Sequence, residues 1–287
     1  NNSNSDLAFT NSGGSANGGV SFRALNEDPT KPVYTPDGEF NYDKGGLFWG
    51  GNLIADAELI ESKALADRLL GNAFIDWQIF EDLTAKAVFG IDVMNNEERY
   101  FRPSELFRSG GRALASLAKI RNFTWLNDYT VTYHKIFNDT HDLNLVVGSS
   151  IQSTSTNSLT GTTNDLITEE LKYYNLSNGL TPSPPGSGFS DFTYASFFAR
   201  ANYIFRDKYL LTLTGRFDGS SKFGAGNKWG FFPAIAFAWR LGDEEFIQSL
   251  NTFSDLKLRA SYGSTGNSGI SPFSSQQLLT RAYYQFD

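Results

Sequence analysis

The chain of 287 residues contains no cysteine, one methionine and two histidines. Without cysteine there is no disulfide framework and no thiolate metal site, which suits a reducing compartment and a bacterial envelope equally. No apolar run approaches the ~18–20 residues of a membrane-crossing helix. The opening "NNSNSDLAFTNSGGSANGG" has neither the basic start nor the apolar core of a secretion signal, and it does not begin like a domain. It reads as the middle of a loop. The net charge of −7, with no basic stripe, argues against nucleic acid as a partner. Also missing are GxSxG, GxxxxGK[ST] and HExxH, so the chain has no nucleophile elbow, phosphate loop or helical zinc site.

What is plentiful is aromatic residues and glycine, arranged with a period of two. Ala73, Ile75, Trp77 and Ile79 alternate with polar residues, Phe74 excepted. Leu83, Ala85, Ala87, Phe89, Ile91 and Val93 follow after a break at "FED". Trp125, Tyr129, Val131 and Tyr133 turn at "FNDT" into Leu143, Leu145, Val147 and Ile151. The odd positions from Ala195 to Phe205 turn at "RDK" into Tyr209, Leu211, Leu213 and Phe217. Runs over 229–239, 256–262 and 278–284 complete about nine strand candidates, many with the ~9–11 residues that cross a bilayer at a tilt.

Alternation alone fits a soluble sandwich as well as a lipid-facing sheet. The connections discriminate. Tight turns alternate with long polar segments over 95–121, 154–190 and 218–228, as in outer-membrane barrels with short periplasmic turns and long extracellular loops. The link 241–254 is longer than its place among the short turns predicts, and its "DEEFIQSL" reads as one or two helical turns. The apolar faces carry no charge in mid-strand, and Lys135 lies at a strand end where it reaches the interface. Trp77, Trp125, Tyr209, Trp229 and Trp239 near run ends suit an aromatic girdle, although Trp and Tyr favour strands in any case. The expected fold is therefore all-β: a partial antiparallel transmembrane β-barrel over 70–287. It follows a large extracellular loop region, 1–69, in which "LIADAELIESKALADRLL" has helical character.

The candidate chemistry is sparse. His134 and His141 flank one turn with Asp139 and Asp142, and an ordinary polar turn explains all four. The neighbouring pairs Glu97-Glu98, Glu169-Glu170 and Glu244-Glu245 read as solvated charge, because adjacency does not set the spacing of paired acid and base carboxylates. The stretch "RFDGSSKFGAGNKWGFFPAIAFAWR" (216–240) suggests a phosphate cradle by its glycines. A phosphate cradle leads into a helix N-terminus, whereas here an alternating run with Pro233 inside follows. A hairpin tip is the better reading. No catalytic residue, cofactor or metal is expected.

The run "DKYLLTLTGRFDGSSKFGAGNKWGFFPAIAFAWRLGDEEFI" (207–247) followed by "LKLRASYGSTGNSGI" (256–270) resembles the SusC/RagA family of TonB-dependent outer-membrane transporters of Bacteroidetes. "ALNEDPTKPVYTPDGEF" and "RLLGNAFIDWQIFEDLTAKAVFGID" look like the same family's earlier barrel region, so the resemblance covers most of the chain. It implies a barrel of about 22 strands around a plug. It further implies import of an oligosaccharide or oligopeptide, a SusD-like surface lipoprotein as lid, and energy from TonB–ExbB–ExbD through the plug. The chain shows no plug or TonB-contacting segment and is expected to be a fragment of a larger protein, unable to transport alone. Asp128, Arg200, Arg216, Asp218 and Arg259 are the expected lumen-facing substrate contacts. The aromatic loops 36–50 and 173–192 are expected to meet a sugar or the lid. The alternatives are a complete small structural or adhesive barrel, a secreted soluble carbohydrate-binding sandwich, and a TonB-dependent siderophore receptor.

Overall fold

The structure, a computed structural model, describes residues 2–6, 29–42, 51–106, 109–250 and 252–276. Among the described residues ten strands form one sheet: β1 (Asn2–Asp6), β2 (Glu61–Phe80), β3 (Leu83–Arg102), β4 (Leu114–Phe137), β5 (His141–Leu166), β6 (Gly179–Pro182), β7 (Gly186–Phe205), β8 (Tyr209–Ser220), β9 (Trp229–Arg240) and β10 (Lys257–Gly263). Their order is that of the chain, a meander, except that the short β6 pairs with β5 off the main path. Among the described residues no helix is long and apolar enough to cross a membrane, which says nothing of crossing by strands.

Each alternating run from Ala73 to Trp239 lies within one of these strands, and the run ending at Tyr262 is β10. The expected strand over 278–284 lies outside the described residues. The turns follow local chemistry. Asn138 and Asp139 both take positive φ between β4 and β5, the conformation that a tight turn of matching twist demands and that these two residue types tolerate. The 241–254 link contains a 3-10 turn at Leu241–Asp243 and a helical turn at Glu245–Gln248, as its sequence suggests.

Strand length is where the structure departs from the alternation. β4 has 24 residues and β5 has 26, so much of the expected loops 95–121 and 154–190 is strand. An apolar face is needed only where a strand meets lipid. Beyond that, Ser, Thr and Asn extend the ladder by cross-strand hydrogen bonds. Ser116 Oγ donates to the Gly161 carbonyl at 3.2 Å and lies 3.0 Å from Thr162 Oγ1, and Thr156 Oγ1 donates to Asn122 Oδ1 at 2.7 Å. Similarly, the helical stretch before the first strand shrinks to α1 (Leu53–Leu59). Asn52 caps it by accepting from the backbone N–H of Ile54 and Ala55, and strand begins at Glu61 rather than at residue 70.

Contacts divide the chain into two compact units, one of residues 1–69, 93–122 and 156–189, the other of 70–92, 123–155 and 190–287. The first unit holds the buried apolar residues. Phe101, Ala113, Ala115 and Tyr173 form one cluster with Leu166 and Leu176 against it. Ala55, Ile60 and Leu106 form another, closed by Phe40, Tyr42 and Tyr100. The second unit is a sheet with two chemically different faces, and there the expected site residues lie.

Candidate functional site

In the second unit the pairing register sorts residues by face. Directly opposed residues of antiparallel strands point the same way, and successive residues alternate. Tyr209 opposes Trp239, Leu213 opposes Ile235, Phe217 opposes Phe231 and Phe197, and Leu258 opposes Trp239. This places Phe197, Leu213, Phe217, Trp229, Phe231, Ile235, Phe237, Leu258 and Tyr262 on one charge-free face. All are exposed, Phe231 by 63% and Tyr262 by 83%. So much contiguous apolar area facing outward requires an apolar environment.

The aromatic rings of this face mark two levels. At one end Trp229 stacks on Phe217, centroids 5.0 Å apart and planes within 8°. A Cβ on Gly219 would stand 2.7 Å from the Trp229 ring, so glycine there is what lets the indole lie across the strand. At the other end Tyr209 stacks on Trp239 at 5.9 Å. The ten steps from Trp229 to Trp239 span about 33 Å of strand. At a tilt of about 40° this is about 25 Å of membrane normal, the height of a barrel's apolar band. The Trp239 indole N–H (3.0 Å), the Tyr209 hydroxyl (2.9 Å) and the Lys208 ammonium (3.2 Å) all donate to the Glu244 carboxylate. The Trp239 and Tyr209 donors, then Lys208, outweigh slight desolvation and hold that carboxyl below the usual range. Glu244, which reads as plain solvated charge in the sequence, thus anchors the 241–254 link to the girdle. Only the register, which brings 209 beside 239, reveals this.

The opposite face is polar. Arg200 opposes Thr214, Arg216 opposes Phe198 and Phe232, Asp218 opposes Ser196 and Gly230, and Arg259 opposes Ala238, so four of the five sequence candidates share this face. They are not equivalent. Arg216 Nε donates to both Asp218 oxygens at 2.6 and 2.8 Å and Nη2 donates to Ser196 Oγ at 2.9 Å, so these two charges largely satisfy each other. They border a concavity of about 550 Å³ with Gln152, Tyr194, Lys228 and Asn267. Among the described residues Arg200 meets only a neutral partner, Asn202 Oδ1 at 3.3 Å. Asp128, on β4, is not brought to this cluster, and its Oδ1 is buried without a hydrogen-bond partner.

Phe232 projects from this polar face between two glycines. A Cβ on Gly230 would lie 2.8 Å from its ring and one on Gly266 2.3 Å. The ring therefore seats the segment after β10 against the sheet, and Ser268 Oγ donates to the Tyr194 hydroxyl at 3.3 Å beside it. Sequence reading missed Ser196, Tyr194 and Ser268 because their roles depend on cross-strand neighbours. The Gly-Phe-Phe and Ser-Thr-Gly motifs were the available signal.

The remaining expectations resolve locally. Phe74, the exception to alternation, lies under the Lys86 ammonium at 4.8 Å, and Lys86 also pairs with Asp76 at 3.4 Å. Lys135 reaches Asp82 in the adjacent turn at 2.7 Å. His134 Nε2 lies 2.9 Å from Asp142 Oδ1 and His141 Nδ1 lies 2.6 Å from the Tyr203 hydroxyl. The two histidines therefore have separate partners, and no group of three or more metal-ligating side chains occurs among the described residues. The 218–228 tip joins β8 to β9, with Ser220 N–H bonded to the Lys228 carbonyl at 2.9 Å, as a hairpin.

In the first unit, the aromatic residues of the two loops differ in exposure, Phe189 being 61% exposed. Tyr173 is 3% exposed and its hydroxyl donates to Glu61 Oε2 at 3.1 Å, whereas Tyr174 is exposed. Phe40 and Tyr42 pack against the α1 cluster, and residues 43–50 lie outside the described set. Burial raises the Glu61 carboxyl, but hydrogen bonds from Lys172 and Tyr173 outweigh it and leave the group below its usual range. Burial and the Glu61 carboxylate push the Tyr173 hydroxyl up to about 12. A lowered carboxyl contributes stability that is present above its unfolded pKa and lost as pH falls through the folded value. A raised phenol contributes stability that is fully present below its unfolded pKa of about 10 and is lost as pH rises through its folded value of about 12. Glu61→Gln is therefore expected to cost about 1 kcal/mol at neutral pH, given the partial exposure of the pair. It should also narrow the difference in thermal midpoint between pH 7 and pH 4. An unchanged pH difference would remove Glu61 from the acid response.

Comparison with known proteins agrees with this arrangement. The family described as "TonB dependent receptor-like, beta-barrel" matches residues 1–285. TonB-dependent receptor P26 of Formosa agariphila is 36% identical over 260 residues, covering 88% of this chain and 26% of that protein. TonB-dependent receptor SusC of Bacteroides thetaiotaomicron is 27% identical over 273 residues, covering 86% and 26%. The structure of the RagAB peptide importer in its open-open state superposes with a TM-score of 0.78 at 25% identity, over 89% of this chain and 28% of that one. The chain thus spans about a quarter of the length of these relatives. Their family comprises outer-membrane transporters and receptors rather than a class of enzymes. With its family match nearly end to end and its two-faced meander, the chain belongs to the TonB-dependent receptor β-barrel family, as part of a barrel of the SusC/RagA kind.

Proposed function

We propose that the protein containing this chain is a SusC-like importer in a bacterial outer membrane. It takes up an oligosaccharide or oligopeptide beneath a SusD-like lipoprotein lid and draws energy from TonB–ExbB–ExbD through a plug. The observation that carries this reading is the division of one continuous sheet into a charge-free aromatic face and a polar face. The first suits lipid, and the second suits a water-filled lumen through which a polar solute passes. Similarity to SusC and to the RagAB peptide importer supports the choice of partner and cargo class. No bond is made or broken in such transport, so no catalytic constellation is required.

Within the lumen, Arg216 and Asp218 are the proposed substrate contacts at the 550 Å³ concavity, their mutual pairing holding both in place for hydrogen bonding to a neutral polar solute. Arg200 and Asp128 offer further contacts along the same polar path. Arg259, opposite Ala238 on the same face, is a further proposed contact. Deletion of the complete gene in its host is expected to abolish growth on one oligomer class while growth on the corresponding monomer persists. The intact protein is also expected to co-purify with a surface lipoprotein. Unimpaired growth on every oligosaccharide and peptide mixture tested would overturn the import reading.

A further inference from the structure

We propose that the 241–254 link is an interfacial anchor that lays Phe246, Leu250 and Phe253 into the headgroup–acyl boundary of the phospholipid leaflet at the short-turn end of the sheet. This rests on the assignment of the aromatic face to lipid. The Glu244 carboxylate accepts from the Trp239 indole N–H at 3.0 Å and from the Tyr209 hydroxyl at 2.9 Å. Both donors project from the aromatic face of β8 and β9, so Glu244 stands on the lipid side of the sheet. The two ends of the link are joined by the Gly242 N–H, which donates to the Leu256 carbonyl at 2.8 Å. Leu258, two residues on, opposes Trp239 on the same aromatic face. The link is thereby drawn to the outer rim, level with the aromatic girdle.

What the link presents there is apolar. Its helical turn, Glu245–Gln248, continues through Ser249 N–H to the Glu245 carbonyl at 3.0 Å and Leu250 N–H to the Ile247 carbonyl at 3.1 Å. Residues four apart share a helix face, so Phe246 and Leu250 project together. Gln248, about 200° round the helix from Phe246, points the other way. Phe246 is 58% exposed, Leu250 57% and Phe253 52%. The nearby hydroxyls turn inward on the backbone instead: Ser249 Oγ donates to the Phe246 carbonyl at 3.0 Å and Thr252 Oγ1 to the Leu250 carbonyl at 2.8 Å.

Lipid is the occupant that this arrangement favours. The exposed side chains continue the aromatic face through Trp239 and Leu258, and a lipid-facing surface does not stop abruptly at a strand end. From 241 to 256 the sequence carries Asp243, Glu244, Glu245 and Asp255 and no cation, so attraction to anionic headgroups does not hold the link. Apolar contact does. The cations lie on the adjoining turn, where Lys208 reaches Glu244 at 3.2 Å and the Arg206 guanidinium lies over the Phe205 ring at 5.0 Å. Apolar bodies and charged tips at one level match a membrane–water interface. A segment within the lumen would meet the opposite, polar face of the sheet.

Fluorescence quenching tests this on the full-length protein in vesicles of phosphatidylethanolamine and phosphatidylcholine. Residues 1–287 contain no cysteine, and any elsewhere in the polypeptide are replaced by serine. Phe246→Cys, Leu250→Cys, Phe253→Cys and Gln248→Cys then each carry one bimane label, with Ile235→Cys on the aromatic face as reference. Nitroxide-bearing phospholipid is expected to quench the labels at 246, 250 and 253 strongly, and aqueous iodide weakly. The order should reverse at 248. Strong iodide quenching at 246, 250 and 253 would place the link in water and overturn the anchor. Shielding of those labels from both agents would show that protein covers them, and equal lipid quenching at 246 and 248 would show a link without a lipid-directed face. Either result also overturns it. Lipid quenching at 235 alone removes the anchor and leaves the lipid face standing, whereas its absence at 235 removes both.

Discussion

Arginine in place of Ile235 is expected to cost about 2–4 kcal/mol, the range for a cation at the bilayer midplane on the lipid face of a barrel, while arginine at the adjacent Ala236 costs little. The two positions are consecutive on β9 and face opposite ways. Ile235 opposes Leu213 on the aromatic face, roughly midway between Trp229 and Trp239 and 47% exposed. Ala236 opposes Thr212 and Ser261 on the polar face. The measurement is the fraction of full-length protein that reaches the outer membrane in heat-modifiable folded form. Equal folding of the two variants would mean that the aromatic face does not meet lipid. The reverse order would mean that the faces have been assigned the wrong way round. A soluble sandwich predicts neither the depth dependence nor recovery in detergent.

Valine in place of Gly148 is expected to be strongly destabilising. A Cβ there would stand 2.7 Å from the Tyr129 carbonyl oxygen and 2.5 Å from Cζ of Phe198. The ring can swing aside, but the carbonyl belongs to the backbone of β4 and cannot move without disturbing its ladder. Overpacking of this kind costs about 1–3 kcal/mol. Pairing Gly148→Val with Phe198→Ala removes only the ring clash, so partial rescue is expected, read as a rise in thermal midpoint over the single variant. Full rescue would show that the carbonyl contact is unimportant. A Gly148→Val barrel as stable as the parent would show that the close approach itself is absent.

Both predictions bear on what is legible in a linear sequence. The lipid face was legible because period-two alternation and face are the same geometric fact: Leu213, Phe217, Phe231 and Ile235 occupy positions that one pleat must direct the same way. The family followed from contiguous residues, and some of those motifs now have packing reasons. Gly219 admits the Trp229 ring, and Gly230 and Gly266 admit Phe232. The ends of the long strands were not legible. Ser and Thr over 153–163 read as loop, because nothing in the sequence says that Ser116, Asn122 and Thr124 stand opposite to bond them.

The site divides in the same way. That Arg200, Arg216, Asp218 and Arg259 turn to the polar face was determined by parity within each strand, which sequence alone supplies. Which of them are satisfied and which are left with charge to offer was decided by register between strands. Register sets Arg216 beside Ser196, two residues from its partner Asp218, sets Arg240 against Lys257, and brings Tyr209 and Trp239 together over Glu244. Alternation is a property of one strand and survives any sliding of its neighbours. Ion pairs, ring stacking and close glycine contacts depend on which residue of the next strand arrives opposite, and only the folded sheet fixes that.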